Sequence, residues 1–508
     1  MPGAEPGPEV AAFPDAFGLV LDAATSVGDG GRVLVGGSPR RVLRLSAAGG
    51  AVVAERLARG PVAEEMPIAA EHPTGAPTAP TAAARLARRL VDAGVAHPVP
   101  PPGAGDVRDV TVVIPVRDRA AELARCLRAL GGHPHVLVVD DGSVDAAGVR
   151  AAAEGAGAEL LRRDGSGGPA AARNTALPHV RTPLVAFLDS DCVPPPGWLA
   201  PLVAHLEDPA VAAVAPRVRG MEDGGASAER RPSTVARWGA ARSPLDLGPR
   251  PARVVPGTAV SFVPTAALVV RRSVLGEGFD PALRHGEDVD LVWRLHDAGH
   301  RLRYEPAVVV GHDEPGAATS FLVRRFRYGT SAGPLARRHG DRLAPLVLAP
   351  RPAVAAGLLL AGRPRVAALL VLAEAARAER GLRGPGVARG TGARAALRTA
   401  GSTLDGLSRS AAMFALPPLV GLAVARPAAR LPVAGLLVGA PAAEWVRALR
   451  DGRTAGLDPV RWVLCGLADD VAYGSGVWAG AVRSRAPRAV LPKVVRTSGP
   501  SRSTGPGG

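Results

Sequence analysis

The stretch Leu184-Val185-Ala186-Phe187-Leu188-Asp189-Ser190-Asp191-Cys192 decides how this chain is read. Four of its first five residues are large and apolar, and two carboxylates follow one residue apart. An apolar run of this length reads as a buried strand. Acidic side chains at its end are costly to bury unless a cation lies between them. A divalent metal at the carboxyl edge of a parallel sheet is such a partner.

Working outward, residues 110–114 and 135–139 read as strands, with an amphipathic helix over 119–130 between them. Strands separated by helical segments predict a parallel α/β sheet, whose ligands sit beyond the carboxyl strand ends. The polar signals fall there: Pro115-Val116-Arg117-Asp118-Arg119, Asp140-Asp141-Gly142-Ser143 and Asp189-Ser190-Asp191. No glycine-rich phosphate loop opens the sheet, which weighs against a nucleoside triphosphatase or a dehydrogenase. Phosphate binding then falls to a metal and to arginines, of which Arg173 is well placed after the loop 165–169.

Downstream, Glu287 and Asp288 precede an amphipathic helix over 289–295. Acids at a helix start are favoured electrostatically; the functional alternative makes Asp288 a general base. Trp293 and Trp198 read either as core or as walls of an acceptor channel, and Arg284 and His285 as groups near the acceptor or the phosphates. His312 follows the apolar strand 307–310, and its imidazole is either structural or a third metal ligand.

Five motifs in order, TVVIPVRDR, VLVVDDGSVD, GGPAAARNTAL, VAFLDSDCVPPPGWL and FDPALRHGEDVDLVWRLHDAGHRLRYEP, resemble family 2 glycosyltransferases of the GT-A fold over about residues 109–338. The resemblance implies a UDP-sugar donor and Mg²⁺ or Mn²⁺ on Asp191, with Asp189 and His312 beside it. It assigns Asp118 and the Asp140-Asp141 turn to the uracil, without distinguishing Asp140 from Asp141. Pro115, Arg117 and Arg173 join the nucleotide-sugar site. Asp288, next to Glu287, is implied as the base of an inverting displacement. Processive synthases of the family carry a Gln-x-x-Arg-Trp motif after the base; none follows here, which argues against long chains but not against adding several sugars.

Residues 15–98, with GGSPRRVLRLSAAG and LARRLVDAGVAHP, resemble the PqqD-like winged-helix modules that bind leader peptides. The whole chain is similar to glycosyltransferases of the mycofactocin system, which implies glucose as the sugar and a peptide-derived redox cofactor precursor as acceptor. A membrane lipid or envelope polysaccharide acceptor is the alternative, and a non-catalytic scaffold a third reading.

Composition bounds these readings. The 508 residues carry a net charge of +15, almost all of it from arginine. Either a coding bias or a basic face explains that. With 3% aromatics and no zinc-finger or RNA-recognition signature, a nucleic-acid partner is not expected. Three scattered cysteines argue for a reducing compartment. Residues 1–14 and 486–508 read as disordered and 99–108 as a linker. Residues 220–265 match no motif and read as mobile loops. The helix 321–329 is basic and amphipathic, fit either for an anionic membrane surface or for packing on the sheet. Residues 341–485 read as apolar, membrane-associated helices whose runs are cut by arginines, placing the enzyme at the cytoplasmic face of the cell membrane.

Overall fold

A computed structural model of the chain describes residues 12–38, 40–58, 81–221, 233–382 and 387–494. It divides into two compact units, residues 1–229 with 242–314, and residues 230–241 with 315–508.

The first unit begins with a small module. Strand β1 (Gly18–Leu21) is followed by the antiparallel meander β2 (Ser26–Gly28), β3 (Val33–Gly36) and β4 (Arg41–Arg44), then helices α1 (Ala47–Ala58) and α2 (Ala82–Asp92) and strand β5 (Ala96–Val99), which returns to pair with β1. Ser46 accepts from the Gly49 amide at the start of α1, and Thr81 caps α2. Phe13 is buried here, edge-on to Phe17 at 5.8 Å, so order begins before residue 15. Residues 1–11 and the segment 59–80 lie outside the described residues.

The larger body of this unit is a nine-stranded mixed sheet. Strands β6 (Val110–Val116), β7 (Val136–Asp140), β8 (Glu159–Arg162) and β9 (Leu184–Leu188) alternate with helices α3 (Ala120–Ala129), α4 (Ala146–Gly155) and α5 (Pro169–Ala176). They pair in parallel in the order β8-β7-β6-β9, and every residue of β9 is buried. The short β10 (Cys192–Val193), helix α6 (Leu199–Leu206) and strand β11 (Val211–Gly220) come next. Helix α7 (Thr234–Ala241) belongs to the second unit, and the chain then returns through β12 (Ala252–Arg253), β13 (Ala267–Arg271), helix α8 (Glu287–Asp297) and the long β14 (Arg301–His312). The sheet departs from the all-parallel expectation at β13, which runs antiparallel to both β9 and β11. Hydrogen bonding to both neighbours compensates the reversal, and the insertion brings β14 and β10 to the same sheet end as β9. Residues 233–241 and 252–253 form regular elements, so the loop reading of 220–265 holds for only part of that span; 222–232 lie outside the described residues.

The module is fastened to the sheet by charge. Arg88 of α2 makes a two-pronged ion pair with Asp208, both contacts 2.7 Å and both side chains under 5% exposed. Asp92 receives two hydrogen bonds from Arg301 at 2.8 Å, and its carbonyl accepts from Arg253. His97 accepts from Arg303 at Nδ1, leaving Nε2–H to donate to Asp22 at 3.0 Å. Burial, and then the Arg303 charge, hold the His97 pKa below its ordinary value, consistent with a neutral ring.

In the second unit, α9 (Ala318–Thr330) and α10 (Ala332–His339) are followed by β15 (Val347–Leu348), then α11 (Pro350–Leu360), α12 (Pro364–Leu382), α13 (Thr391–Ala425), α14 (Arg430–Arg450) and α15 (Pro459–Arg483), with β16 (Lys493–Val494) pairing β15. Phe321 and Trp462 meet Trp238 edge-on at 6.0 and 6.2 Å. The basic helix expected at 321–329 packs against α15, where glycines on both helices let the backbones touch and Arg325 pairs with Asp469. The C-terminal tail is ordered as far as Val494, with Ala486 and Ala489 buried; 495–508 lie outside the described residues. Among the described residues one helix, Thr391–Ala425, is long and apolar enough to cross a membrane.

Removing one partner of the Arg88–Asp208 pair leaves the other charged, buried and alone. We expect Arg88→Met or Asp208→Leu to cost about 3–5 kcal/mol in equilibrium unfolding, and the double variant to recover most of that loss.

Candidate active site

Strand β9 delivers Asp189 and, after one residue, Asp191. The chain then turns into β10, which lies antiparallel to the end of β14 with Cys192 opposite His312. The Asp313 amide donates to the Asp191 carbonyl at 3.0 Å and fixes the turn. This pairing brings the Asp191 Oδ2 and His312 Nε2 to 3.7 Å, with both side chains nearly excluded from water. The other ring nitrogen of His312 lies 3.5 Å from Glu314 Oε1, which orients the imidazole. Arg119, at the N-cap of α3, makes a close ion pair with the same Asp191 oxygen, and Arg125 pairs with Asp313. Burial works to raise the Asp191 pKa, but His312 and Arg119 outweigh it and hold the carboxyl below its usual range.

Arg173, on the buried face of α5, bridges two elements. It donates to Asp189 Oδ1 at 2.7 Å and to Glu287 Oε1 at 2.9 Å, and its guanidinium stacks 5.3 Å from the Phe279 ring. Glu287 and Asp288 open α8, preceded by Gly286 at φ 80°, a conformation glycine adopts without penalty. Asp288 is half-buried and accepts from the Val289 amide at 2.8 Å. Burial, and then repulsion from Glu287, push its carboxyl up to about 7. Glu287 is also raised, by burial, with Arg173 opposing.

The carboxylates after β6 and β7 have internal duties. Asp140 accepts from the Ser143 amide at 2.8 Å and pairs with Arg162. Asp141 accepts from the Gly167 and Gly168 amides at 3.0 and 2.8 Å and from the Ser166 hydroxyl, and pairs with Arg163 at 2.9 Å. The loop after β8 is thereby locked onto the turn after β7, so closely that a Cβ on Gly142, at φ 73°, would lie 3.0 Å from the Gly165 backbone. Asp118, at φ 54°, accepts from the Val144 amide at 2.6 Å and is the most exposed of the three acids. Pro115 ends the same strand, and Arg117 reaches Ser166 at 3.1 Å.

Of the acceptor candidates, Arg284 is exposed and His285 half-buried, both just ahead of α8. Trp293 is 2% exposed and donates its indole N–H to the Ser261 carbonyl at 2.7 Å, which makes it an anchor of the 254–263 loop rather than an open wall. Trp198 is core. Sequence reasoning passed over Arg119, Arg125, Arg162, Arg163 and Glu314. Only Glu314 carried a local signal, sitting two residues after His312.

The donor set can be tested against a divalent cation. Asp191 and His312 present an oxygen and a nitrogen suited to Mg²⁺ or Mn²⁺, and Asp189 offers its outer oxygen. Among the described residues no three His, Cys, Asp or Glu side chains converge into a closed cage. The residues fit a cation that completes its shell with phosphate oxygens and water, the habit of Mg²⁺ at phosphate sites.

An α/β sheet carrying acids at its strand ends, with a carboxylate of raised pKa on a following helix, defines a GT-A glycosyltransferase, and residues 111–279 match the model for Glycosyl transferase family 2. The chain is 38% identical to the pre-mycofactocin glycosyltransferase of Mycobacterium tuberculosis over 508 residues, which covers 95% of this chain and 98% of that one. The chain belongs to the pre-mycofactocin glycosyltransferase family. It is also 30% identical over 235 residues to glycosyltransferase AglE of Haloferax volcanii, covering 43% of this chain and 71% of that protein. The mannosyltransferase PcManGT of Pyrobaculum calidifontis, solved with GDP-Man and Mn²⁺, aligns over 75% of this chain and 90% of its own, at 21% identity and a TM-score of 0.42.

Asp141→Ala would strip four donors of their acceptor. We expect a loss of about 3 kcal/mol, and faster hydrogen exchange at the Gly167 and Gly168 amides than at those of β7.

Proposed function

We propose that this enzyme transfers glucose from UDP-glucose to the peptide-derived mycofactocin precursor, with inversion at the anomeric carbon and with several sugars added in succession. The observation that carries the acceptor is the 38% identity to a pre-mycofactocin glycosyltransferase across nearly the whole of both chains. The absence of a processive-synthase motif is consistent with a short glycan.

The chemistry follows from the residues. The acceptor hydroxyl attacks the anomeric carbon on the face opposite the diphosphate, its proton passes to the Asp288 carboxylate, and the bond to the diphosphate breaks. Arg173 keeps Glu287 ionised and in place, so that Glu287 holds the Asp288 pKa up without taking the proton itself. Asp118 lies where an exposed carboxylate can accept the uracil N3–H, while Asp140 and Asp141 hold the walls of that pocket. A divalent cation, Mg²⁺ or Mn²⁺, bound by Asp191 with Asp189 and His312, would neutralise the departing diphosphate. Arg284 and His285 face the acceptor side. The apolar helix Thr391–Ala425 supports work at the cytoplasmic face of the membrane and keeps a lipid acceptor as the second reading. The small N-terminal meander with its two helices supports a PqqD-like role in holding peptide.

UDP release tests the proposal. Purified enzyme with Mn²⁺ and a panel of UDP-sugars should release UDP fastest from UDP-glucose, and faster still with the peptide-derived precursor. Chelation or Asp191→Ala should abolish release. Stimulation by a lipid extract, with none by the precursor, would reverse the assignment of the acceptor.

Asp288→Asn should lower kcat by about 10²–10⁴ while leaving UDP affinity within about twofold. A base is competent only when deprotonated, so a carboxyl raised to about 7 loses activity as pH falls through that value. The kcat/KM profile should show its acidic limb near pH 7, and the residual activity of Asp288→Asn should lack that limb.

A further inference from the structure

Arg119 and His312 both converge on Oδ2 of Asp191, yet the two arginines of this cluster are held very differently. Arg173 is 2% exposed, clamped between Asp189 and Glu287 and seated over the Phe279 ring. The side chain of Arg119 is 49% exposed and reaches Asp191 from the N-cap of α3. Arg125, the next cation along that helix, is engaged by Asp313. A buried carboxylate needs a positive partner. Of the cations around Asp191, Arg119 is the one that can leave for solvent at little cost.

We propose that Arg119 is an exchangeable counter-ion: the guanidinium and the catalytic divalent cation take the Asp191 carboxylate in turn, and arrival of the nucleotide diphosphate draws Arg119 away to its own oxygens. The proposal rests on the reading of Asp191 as the metal ligand. Its consequence is ordered, cooperative loading. A cation approaching alone meets the like charge of Arg119 and must displace it. A diphosphate offers Arg119 a new partner and frees the carboxylate. Because linkage is reciprocal, the cation must strengthen nucleotide binding by the factor by which the nucleotide strengthens cation binding. Arg119 thus acts as a positioning residue for the leaving group and as a guard against idle metal binding.

The test is Mn²⁺ binding followed by electron paramagnetic resonance, on the full chain, with and without UDP and with no turnover required. Without UDP, Arg119→Gln should bind Mn²⁺ at least tenfold more tightly than wild type, and the enhancement of Mn²⁺ affinity by UDP should shrink by a similar factor. Arg119→Lys, which keeps the charge, should stay close to wild type. Unchanged Mn²⁺ affinity in Arg119→Gln, including binding too weak to detect in both proteins, overturns the proposal. Tight UDP-independent binding in Arg119→Lys overturns it as well, since the charge would then not be the cause. Asp191→Asn separates the two readings: if it retains Mn²⁺, the metal assignment itself fails; if it loses Mn²⁺ while Arg119→Gln is unchanged, only the exchange fails.

Discussion

Four carboxylates, Asp189, Asp191, Glu287 and Asp288, gather at one end of the nine-stranded sheet, and their mutual repulsion is the constraint around which the transferase body is built. At an effective dielectric constant near 20, a like-charge pair about 5 Å apart costs about 3 kcal/mol. Arg173 answers part of that cost by bridging the acid after β9 to the acid that opens α8. Its position on α5, directly before β9 in sequence, makes the bridge a product of topology: a right-handed crossover returns the helix over the sheet beside the strand it precedes. The same bridge fixes the approach of α8, and so the place of Asp288.

The second organising feature is the division of labour among acids of one chemical type. Asp140 and Asp141 are consecutive, and both are buried with every oxygen engaged, yet they hold different things: one its own turn and Arg162, the other the loop that leads into α5. A pocket wall made this way needs no bulky core beneath it. Backbone amides point at a carboxylate, and the loop takes its shape from that acceptor.

How much of this was legible in the sequence depended on the distance over which each signal acts. Strands β6, β7 and β9 announce themselves because apolar runs end in acids, and local chemistry alone marks Asp118, Asp189, Asp191 and Asp288 as candidates. The start of α8 was also readable, displaced by two residues, since Glu287 and Asp288 are themselves helical. The reversal at β13 was not readable, because a buried strand has the same apolar composition in either direction. The partners Arg119, Arg162 and Arg163 were hidden for another reason. Their acids lie 22 to 72 residues away, and an arginine-rich chain offers far too many candidates. Trp293 illustrates the opposite error: an aromatic beside a catalytic helix suggests a wall, but a nearby carbonyl captures its indole. In the C-terminal region, arginines divided the apolar runs on paper, whereas helix α13 continues past Arg394, Arg398 and Arg409 and through two prolines.

Strand β14 joins two places that do different work. Arg303 meets the N-terminal module near its beginning, and His312 meets Asp191 at its end. A register shift in β14 lets it gain residues on β11, so the true separation is read on the partner strand, from Val214 opposite Arg303 to Gly220 opposite His312. Six residues of strand measure about 20 Å. Because buried ion pairs fix the module on this unit, that distance acts as a ruler. A flexible molecule that touches both ends must bridge about 20 Å, the length of a six-residue extended peptide, and anything shorter can engage one end or the other but not both.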